Sequence, residues 1–446
     1  MSTYRSLFPL LYGLLWLPSH LFGQQELSLA FLPGQIQAQQ IHPAAMQDQK
    51  IQIGLPSFYF NGLHNGFRVK DMIQPVAGTD SFRIDPAAAI AKMRDMSEIR
   101  LNGQVDLLSV GINHMGIQAS VFATTRYQAY LGYPKTLFEL AWNGNGAYLG
   151  ETLDIAPDFS GRAWHEIGAG VSLPIGKRWR IGGRAKYLVG LADISVAERL
   201  LTLTTHEGHY AMNVEADYRL RTSILNFGNI EAPEFSLEPQ AFTGNHGLGL
   251  DFGAQFQLNE KWTFLASVRD LGYIRWKDQA KGYQVKGSIY FDGLDVFQLY
   301  RDDSLSVEPL LDSLVGGIEL TESDSSYTTT LPAQTNINVR YEALPWLSLG
   351  GMIQTETFQN RTRPTVALSA TARVKNALRV GISYSMRQRR FDNLGLYGSL
   401  KLGPVVTFLA SDNLLAFALP QGAQQTNIRM GMNIVFGKTK PPKAWR

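Results

Sequence analysis

The stretch NIRMGMNIVF at residues 427–436 decides the fold class of this chain. Apolar and polar side chains alternate along it, with Ile428, Met430, Met432, Ile434 and Phe436 on one side of an extended chain and Asn427, Arg429, Gly431 and Asn433 on the other. A period of two predicts a β-strand with one apolar and one polar face. In a soluble sheet the apolar face would lie in a core, whereas in a membrane barrel it would face lipid and the polar face would line the lumen.

Length and composition exclude several classes of protein. The 446 residues carry 41 Lys and Arg against 38 Asp and Glu, and a net charge of +3 gives no field that would attract nucleic acid. Cysteine is absent, which excludes a disulfide framework, thiol catalysis and a Cys-ligated zinc site. The 42 glycines, the 11% of aromatic residues and the mean hydropathy of −0.11 are typical of a β-rich protein and unusual for a helical membrane protein.

The N-terminus has the residue order of a secretory signal peptide. Arg5 precedes an apolar run at 7–17, and Gly23 precedes Gln24, so we expect residues 1–23 to be cleaved from the mature protein. A short membrane anchor is the alternative, but the run is shorter than the roughly 20 residues of a spanning helix. No later window is apolar over that length. A mature protein in a membrane would therefore have to span it with strands.

Alternating segments repeat along the chain from about residue 51, and short turn-forming segments join them in pairs. The predicted hairpins are 101–112 with 115–126 around Asn113-His114, 164–173 with 179–191, 248–258 with 262–274, 334–342 with 346–358, 366–374 with 378–386, and 393–402 with 405–411. Most of these strands approach or exceed the about 9 to 11 residues of a tilted membrane strand, which is longer than the about 5 to 6 residues usual in soluble sheets. A soluble β-sandwich is the alternative, and its strands should be shorter.

Aromatic residues follow three of the tight turns directly. Trp179, Trp262 and Trp346 would lie at one level of the sheet, where an indole buries its ring in acyl chains and keeps its N–H in water. Phe436 supplies an aromatic residue near the end of the last strand. We interpret these four residues as an interfacial girdle.

Strand directions constrain the number of strands. If the tight turns and the end of the last strand share one side of the membrane, the regions 199–220 and 275–333 each contribute no crossing or two. The barrel then has about 14 strands, or about 16 or about 18 if one or both of these regions span, and all the options are even numbers. We therefore expect an all-β, antiparallel transmembrane β-barrel with short periplasmic turns and long extracellular loops.

Segments with other properties flank the predicted barrel at 51–436. Residues 24–50 are rich in glutamine and are expected to form an irregular N-terminal lead or a partial plug in the barrel mouth. Residues 437–446 would form a basic periplasmic tail. Short helices are expected at 86–96 and 136–142.

Motifs for catalysis are absent from the sequence. It contains no His-Glu-x-x-His, Gly-x-Ser-x-Gly, Walker loop or dinucleotide fingerprint, so we expect neither an enzyme nor a cofactor. His206, Glu207 and His209 could hold a metal ion, but their position at an expected hairpin tip favours a solvated turn, and no metal site is predicted. The acidic segments 302–303 and 319–324 lack the alternating ligands of a calcium loop and are interpreted as exposed loops.

Charged residues on the polar strand faces are candidates for lining the lumen. They are Arg180, Arg184, Asp251, Arg340, Arg373, Arg379 and Arg429. One hypothesis is an electropositive interior that favours anionic solutes. The alternative is a network of salt bridges in which the arginines pair with acids such as Asp217, Asp251 and Glu342.

Two polar motifs lie at predicted outward ends of strands. They are Arg269-Asp270-Leu271-Gly272 and Ser411-Asp412-Asn413. Asp and Asn favour turns at such positions, so turns are expected here, and ligand contact is the less favoured alternative.

Several short motifs resemble those of a family of Bacteroidetes-type outer-membrane β-barrels of unassigned function. They are Ile41-His42-Pro43-Ala44, Gly144-Asn145-Gly146, Leu250-Asp251-Phe252-Gly253 and SVRDLGYIRW at 267–276. That family is distantly similar to long-chain fatty-acid transporter barrels and to barrel components of type IX secretion. The resemblance implies a barrel of about 14 strands in the outer membrane, and it implies no substrate and no site residues.

Function is expected to follow from the barrel. The transporter resemblance and the polar lumen favour an outer-membrane protein that passes or binds a small or hydrophobic solute. The alternative is a non-conducting structural or secretion-associated barrel, whose long outward segments 221–245 and 292–333 would bind secretion or surface proteins. Outer-membrane lipid is the expected partner in both cases, and nucleic acid is not expected.

Overall fold

A computed structural model describes residues 27–75, 78, 81–208, 210–223, 225–226, 236–237, 242–292, 317–358, 361–375, 377–387 and 390–439. Within these ranges the chain forms an all-β, antiparallel, closed barrel of 14 strands. The predicted fold class is therefore confirmed. The predicted signal peptide lies outside the described residues, as does most of the predicted basic tail.

The barrel strands are numbered in chain order. They are β1 (Gln49–Gly54 and Ser57–His64), β2 (Met96–His114), β3 (Ile117–Pro134), β4 (Asp158–Ile175), β5 (Trp179–Thr205), β6 (His246–Gln257), β7 (Trp262–Trp276), β8 (Tyr327–Thr330 and Gln334–Leu344), β9 (Leu347–Phe358), β10 (Arg361–Val374), β11 (Leu378–Arg387), β12 (Arg390–Leu402), β13 (Val405–Ser411) and β14 (Gln425–Lys438). β1 pairs with both β2 and β14, which closes the barrel. β1 and β8 are interrupted at Pro56 and Pro332, because proline has no N–H to donate to a sheet.

Tight turns lie at one end of the barrel, which we call the tight-turn end, and most longer connections lie at the other, the loop end. The first hairpin turns at Met115 (φ 51°) and Gly116 (φ 88°), not at Asn113-His114 as predicted. Positive φ at both positions is the geometry of a two-residue type I′ hairpin turn, so Asn113 and His114 lie before the turn and extend β2. At the loop end, β9 ends at Phe358 and β10 begins at Arg361, so this connection is also short.

The closing strand β14 shows the two faces that define a membrane strand. Met430 and Phe436 are 42% and 48% exposed on the outside of the barrel, whereas Arg429 is 1% exposed on the inside. Large apolar side chains are exposed on other strands in the same way, such as Leu250 and Ile353. The barrel therefore presents an apolar outer surface and a polar lumen.

The two regions that left the strand count open form a sheet beyond the barrel wall, which we call the extension sheet. The first half of β5 pairs with β6, and its second half, 193–205, pairs with the strand Met212–Ser223. Met212–Ser223 pairs with Ala280–Phe291, which pairs with Ile318–Asp324. These strands add no barrel crossing, so the number of strands is 14. The acidic segment 319–324 lies in this sheet and is not a loop as predicted.

Short elements complete the fold. The helices are α1 (Val69–Met72), α2 (Pro86–Ala91), α3 (Lys135–Asn143) and α4 (Leu415–Ala418), and the remaining strand pairs are Ile73–Pro75 with Phe82–Ile84, Leu225–Asn226 with Ser236–Leu237, and Thr152–Asp154 with the end of β5. Single 3₁₀ turns occur at Ser28–Phe31, Ile36–Gln40 and Asn145–Tyr148. The helix predicted at 86–96 ends at Ala91 because β2 begins at Met96. Among the residues described, no helix has the length and apolar character to cross a membrane.

A charge on the outer apolar surface tests its contact with lipid. We expect Leu368→Arg, near the middle of β10, to lower the free energy of unfolding by about 2–4 kcal/mol, because it places a cation in hydrocarbon. Leu402→Arg is the matched control, since Leu402 is similarly exposed but ends β12 at the tight-turn end, and it should cost about 0–1 kcal/mol. Guanidinium titration in lipid vesicles measures both values. Equally small losses would show that Leu368 does not face hydrocarbon.

Candidate functional site

The N-terminal segment 27–48, which we call the plug, runs through the lumen. At the loop end the Asp412 carboxylate accepts hydrogen bonds from the backbone N–H groups of Leu27 (3.1 Å) and Ser28 (2.9 Å). At the tight-turn end Asp48 forms a 2.5 Å ion pair with Arg379 of β11. The segment therefore reaches from one end of the barrel to the other, much deeper than a position in the mouth.

Apolar packing fixes the first part of the plug. Its apolar side chains lie against the inner faces of β9, β10, β12 and β13, and this buried cluster comprises Leu27, Leu29, Phe31, Leu32, Ile41, Met352, Ala367, Tyr397, Phe408 and Ala410. Phe31 stacks on Tyr397 with 6.2 Å between ring centroids. Amide groups complete the contact, since Gln37 donates to the side chain of Asn433 at 2.8 Å.

Ion pairs compensate the charges on the wall formed by β3 to β7. Lys186 Nζ lies 2.7 Å from Asp251, and Arg126 lies 2.9 Å from Glu166 and 3.1 Å from Asp270. All five side chains are buried. Burial of a charge is tolerated when it is paired and hydrogen-bonded, so this part of the lumen is neutralised by its own residues.

The motif Arg269-Asp270-Leu271-Gly272 forms a β-bulge within β7 and not the turn that was expected. The register with β6 shifts between Leu250 and Phe252, and Asp270 has a φ of 59°. A bulge changes the side to which consecutive residues point, and Arg269 and Asp270 are both 1% exposed. Arg269 donates to the backbone carbonyl of Gln40 in the plug, so the bulge provides one of the plug's anchors.

An apolar cluster lies inside the wall nearer the loop end. Its buried members are Trp164, Leu188, Ile274, Trp276, Ala280, Tyr327 and Leu331. The polar atoms of its aromatic residues are satisfied, since the Trp276 indole donates to Thr329 at 2.8 Å and the Tyr327 hydroxyl donates to Asp193 at 3.0 Å. The plug, the ion pairs and this cluster together occupy much of the described lumen.

A cavity of about 260 Å³ separates the plug from the wall at the tight-turn end. Its plug side is largely apolar and includes Ala30, Phe31, Pro33, Ala38, Ala45 and Met46. Its wall side is largely polar and includes Gln255, Thr263, Asn338, Arg340, Glu342, Ser369, Thr371, Arg373 and Arg379. The cavity is therefore amphipathic, with apolar groups mainly on the plug side and polar groups mainly on the wall side.

His42 of the plug lines this cavity although its side chain is only 3% exposed. Asn338 lies beside the ring, yet neither ring nitrogen makes a hydrogen bond of ordinary geometry with the described residues. A buried polar group without such a partner is unfavourable by about 1–3 kcal/mol. A molecule in the cavity with a donor or an acceptor would remove that cost.

Three of the predicted lumen arginines meet at the cavity. Arg340 lies 3.2 Å from Glu342, and Arg379 is paired with Asp48. Arg373 lies directly opposite Arg379 in the strand register and forms no ion pair with the residues described. Like charges facing each other across two strands repel, so a bound anion would stabilise this edge of the cavity.

The other predicted lumen arginines lie outside the cavity, and Arg180 lies near the tight-turn end, where it donates to the backbone carbonyl of Gly116. Arg180 is buried and donates to the Ser172 hydroxyl at 2.5 Å. Arg184 lies 3.4 Å from Asp251, and Arg429 is paired with the buried Asp106. The predicted acidic partner Asp217 lies outside the lumen, because it belongs to the extension sheet, where it pairs with Lys286 at 3.5 Å.

The predicted girdle residues lie at the tight-turn end. Trp179, Trp262, Trp346 and Phe436 are all exposed, by 37% to 55%. Trp346 precedes β9 and is not its first residue as predicted. Trp179 packs on Phe256 and Trp262 on Tyr341, with ring centroids 4.6 and 4.5 Å apart, so aromatic rings of neighbouring strands are in contact at this level.

Residues absent from the predicted site contribute to it. His42 lines the cavity. Asp412 anchors the plug by accepting a hydrogen bond from the backbone N–H of Leu27, which is 385 residues away in the chain. The available signal was the series of glutamines in the plug, Gln35, Gln37, Gln39 and Gln40. Amide side chains both donate and accept, and such a series indicates a polar partner surface.

Metal binding has little support in the described part of the chain. No group of three or more His, Cys, Asp or Glu residues there is placed to hold a metal ion. His206 and Glu207 follow β5, and His209 lies outside the described residues. The acidic pair 302–303 also lies outside them.

Comparison with known proteins gave one family and several solved structures. Residues 43–412 match a model described as a family of unknown function, DUF5723. The chain is similar to a crystallised Pseudomonas aeruginosa FadL homologue, with 10% identity and a TM-score of 0.44 over 94% of this chain and 99% of that chain. It is also similar to the P. putida toluene transporter TodX (10% identity, TM-score 0.43, 89% and 93% covered) and the Ralstonia pickettii toluene transporter TbuX (9%, 0.44, 90% and 93%). Comparison with curated protein sequences gave no match.

The fit between plug and wall is testable at two adjacent glycines. A Cβ on Gly182 would overlap the carbonyl of Pro43 and lie 2.7 Å from the backbone nitrogen of Ala44, whereas a Cβ on Gly183 would have its nearest contact at 3.7 Å. We therefore expect Gly182→Ala to displace the plug and Gly183→Ala to leave it in place. Overpacking of this kind costs about 1–3 kcal/mol.

Protease accessibility of the plug and single-channel conductance in planar bilayers measure the displacement. Gly182→Ala should raise both several-fold over the parent protein, and Gly183→Ala should match the parent. Identical cleavage and conductance in the two variants would contradict the packing of the plug against β5.

Proposed function

The chain belongs to the family of unknown function DUF5723, and we propose that it is an outer-membrane β-barrel that binds a small amphipathic solute between its plug and its wall. The amphipathic cavity carries this proposal. A solute there would lay its apolar part on Phe31 and Met46 and direct a polar group to Arg340, Arg373 and Arg379. We propose a binding role and no catalytic one.

The dimensions of the cavity restrict the solute. Binding sites for drug-sized molecules occupy about 300–1,000 Å³, and the cavity of about 260 Å³ is at or below the lower limit. A single ring or a short chain with one polar group is the size that it supports. A planar carboxylate suits the arginines best, because a guanidinium binds it through two parallel hydrogen bonds.

Location in the outer membrane follows as part of the proposal. Its support is the apolar outer surface together with the exposed tryptophans at the tight-turn end. Short turns of such barrels face the periplasm, so the cavity would be reached from the periplasmic side. Passage of a solute through the barrel would additionally require the plug to move.

A non-conducting barrel that binds partner proteins, including secretion or surface proteins, is the second candidate. Its support is the plug, whose contacts span the lumen from Asp412 to Arg379. The extension sheet offers a further surface for a partner beyond the wall. The two candidates differ in whether the cavity binds a small molecule.

Binding of benzoate and of its uncharged analogue benzyl alcohol distinguishes them. We expect benzoate to bind more tightly, and we expect Arg373→Gln to weaken its binding about 10-fold, because a hydrogen bond to a charged group contributes about 1.5–3 kcal/mol. Affinity for benzyl alcohol should hardly change. Ligand-observed NMR of the protein in nanodiscs measures both affinities.

The control is Arg178→Gln, because Arg178 lies in an exposed turn at the same end of the barrel and outside the cavity. It should bind benzoate like the parent. Absence of benzoate binding to the parent, or equal effects of the two substitutions, would reject the solute-binding proposal in favour of the non-conducting barrel. Native mass spectrometry of the purified protein would then identify a bound partner.

A further inference from the structure

Three connections at the loop end form one continuous surface, which we call the rim surface. It consists of residues 65–75, 78 and 81–95 after β1, α3 after β3, and residues 412–424 between β13 and β14. The backbone N–H of Lys70 donates to the carbonyl of Gln421 at 3.2 Å, which joins the first connection to the third. The backbone N–H of Lys135 donates to the backbone carbonyl of Asp95 at 2.9 Å, which joins the first connection to α3.

The rim surface covers part of the outside of the barrel wall. His64 shares the outward face of β1 with Phe58 and Phe60, which are exposed to the lipid side. Tyr133 shares the outward face of β3 with Leu131. Phe67 of the rim surface packs against His64 and Phe138 against Tyr133, with ring centroids 5.9 and 5.4 Å apart. Phe67 and Phe138 also contact each other, at 6.2 Å. The connections therefore fold back over the outside of the wall and reach the loop-end edge of its apolar outer surface.

Large apolar side chains are exposed on this surface. They are Val69, Ile73, Phe82, Ile84, Phe138, Trp142, Leu414, Leu415, Phe417 and Leu419, and Phe82 and Ile84 are the most exposed at 71% and 69%. Contiguous apolar patches of this kind mark a protein–protein or a membrane contact. The geometry favours a membrane contact, because Phe60, Leu101 and Leu131 on the adjacent part of the wall are exposed as part of the lipid-facing band.

Helix α3 has the layout of an interfacial helix. It begins at Lys135, immediately after the last residue of β3, so its start is fixed at the end of a membrane strand. Phe138 and Trp142 are four residues apart and share one face. Lys135 and Glu139 form an ion pair of 2.9 Å four residues apart along the same helix. Apolar residues on one face beside charged residues on another are typical of helices that lie in the plane of a membrane surface.

We infer that the rim surface inserts its apolar side chains into the outer edge of the membrane leaflet at the loop end. The occupant is lipid at the boundary between headgroups and acyl chains, since the surface is continuous with the lipid-facing wall. Insertion on one flank, from β13 to β3, would hold the barrel in a fixed orientation in the bilayer. This inference is independent of the solute-binding proposal.

Spin labels test the inference in the intact protein in nanodiscs. Because the chain has no cysteine, Phe82→Cys and Phe417→Cys each provide one unique labelling site. Leu131→Cys on the lipid-facing wall is the positive control, and Ser325→Cys, exposed beside the extension sheet, is the control for water. Collision rates with oxygen, which partitions into lipid, and with a water-soluble nickel chelate report the surroundings of each label.

Labels at 82 and 417 should resemble the label at 131, with an oxygen-to-nickel collision ratio several-fold above that at 325. Ratios equal to that at 325 would place the rim surface in water and overturn the inference. Low collision rates with both reagents would also overturn it, because they would show that a protein or a second copy of the chain covers the surface. A heat-modifiable gel shift for every variant establishes that each is folded, and Val69→Cys replaces any variant that is not.

Discussion

The width of the lumen is the constraint on which the rest of the structure depends. Backbone groups in a bilayer must all be hydrogen-bonded, so a β-protein there has to close into a barrel. A barrel of about 8 strands is filled by its own side chains, but this one has 14 and a correspondingly wider interior. The plug supplies the missing volume. Its contacts on opposite walls, with Asp412 of one and Arg269 of another, show that it fills the space between them.

The positions of the charged side chains in the lumen are related to the way the plug fills it. The wall from β3 to β7 carries more inward charges than the plug can satisfy, and these pair with one another, as Lys186 does with Asp251. The opposite wall is apolar where the plug presents Leu29 and Leu32. Between these two well-packed regions, at the tight-turn end, the plug continues into β1 and does not fill the space in front of β6 to β11. The cavity lies there, and its lining includes His42, whose ring nitrogens make no hydrogen bond of ordinary geometry with the described residues, and the exposed Arg373, which forms no ion pair with them.

Strands were predictable from the sequence because their signal is local. Alternation within a strand such as 427–436 and the turn residues beside it are set by neighbours in the chain. A predicted strand was too short where the strand continues past the barrel wall into the extension sheet, as β5 does, because the alternation of apolar and polar residues is lost there. The plug contacts and the bulge at Arg269-Asp270 were not predictable, because they depend on partners more than 200 residues away and on a register shift that leaves no periodic signal.

The two parts of the plug differ in how they are held, and this difference bears on movement. Residues 27–41 bury apolar side chains against Met352, Tyr397 and Phe408, and exposing each such side chain would cost about 1.5–3 kcal/mol. Residues 42–44 are buried as well, and Pro43 and Ala44 pack closely on Gly182 of β5. Residues 45–48 are more exposed apart from Gln47, and the ion pair of Asp48 with Arg379 is partly exposed and of a kind worth about 0–1 kcal/mol. Water or a solute can replace polar contacts but not buried apolar ones. Opening would therefore begin at residues 45–48, beside the cavity, while residues 27–44 keep their place in the barrel.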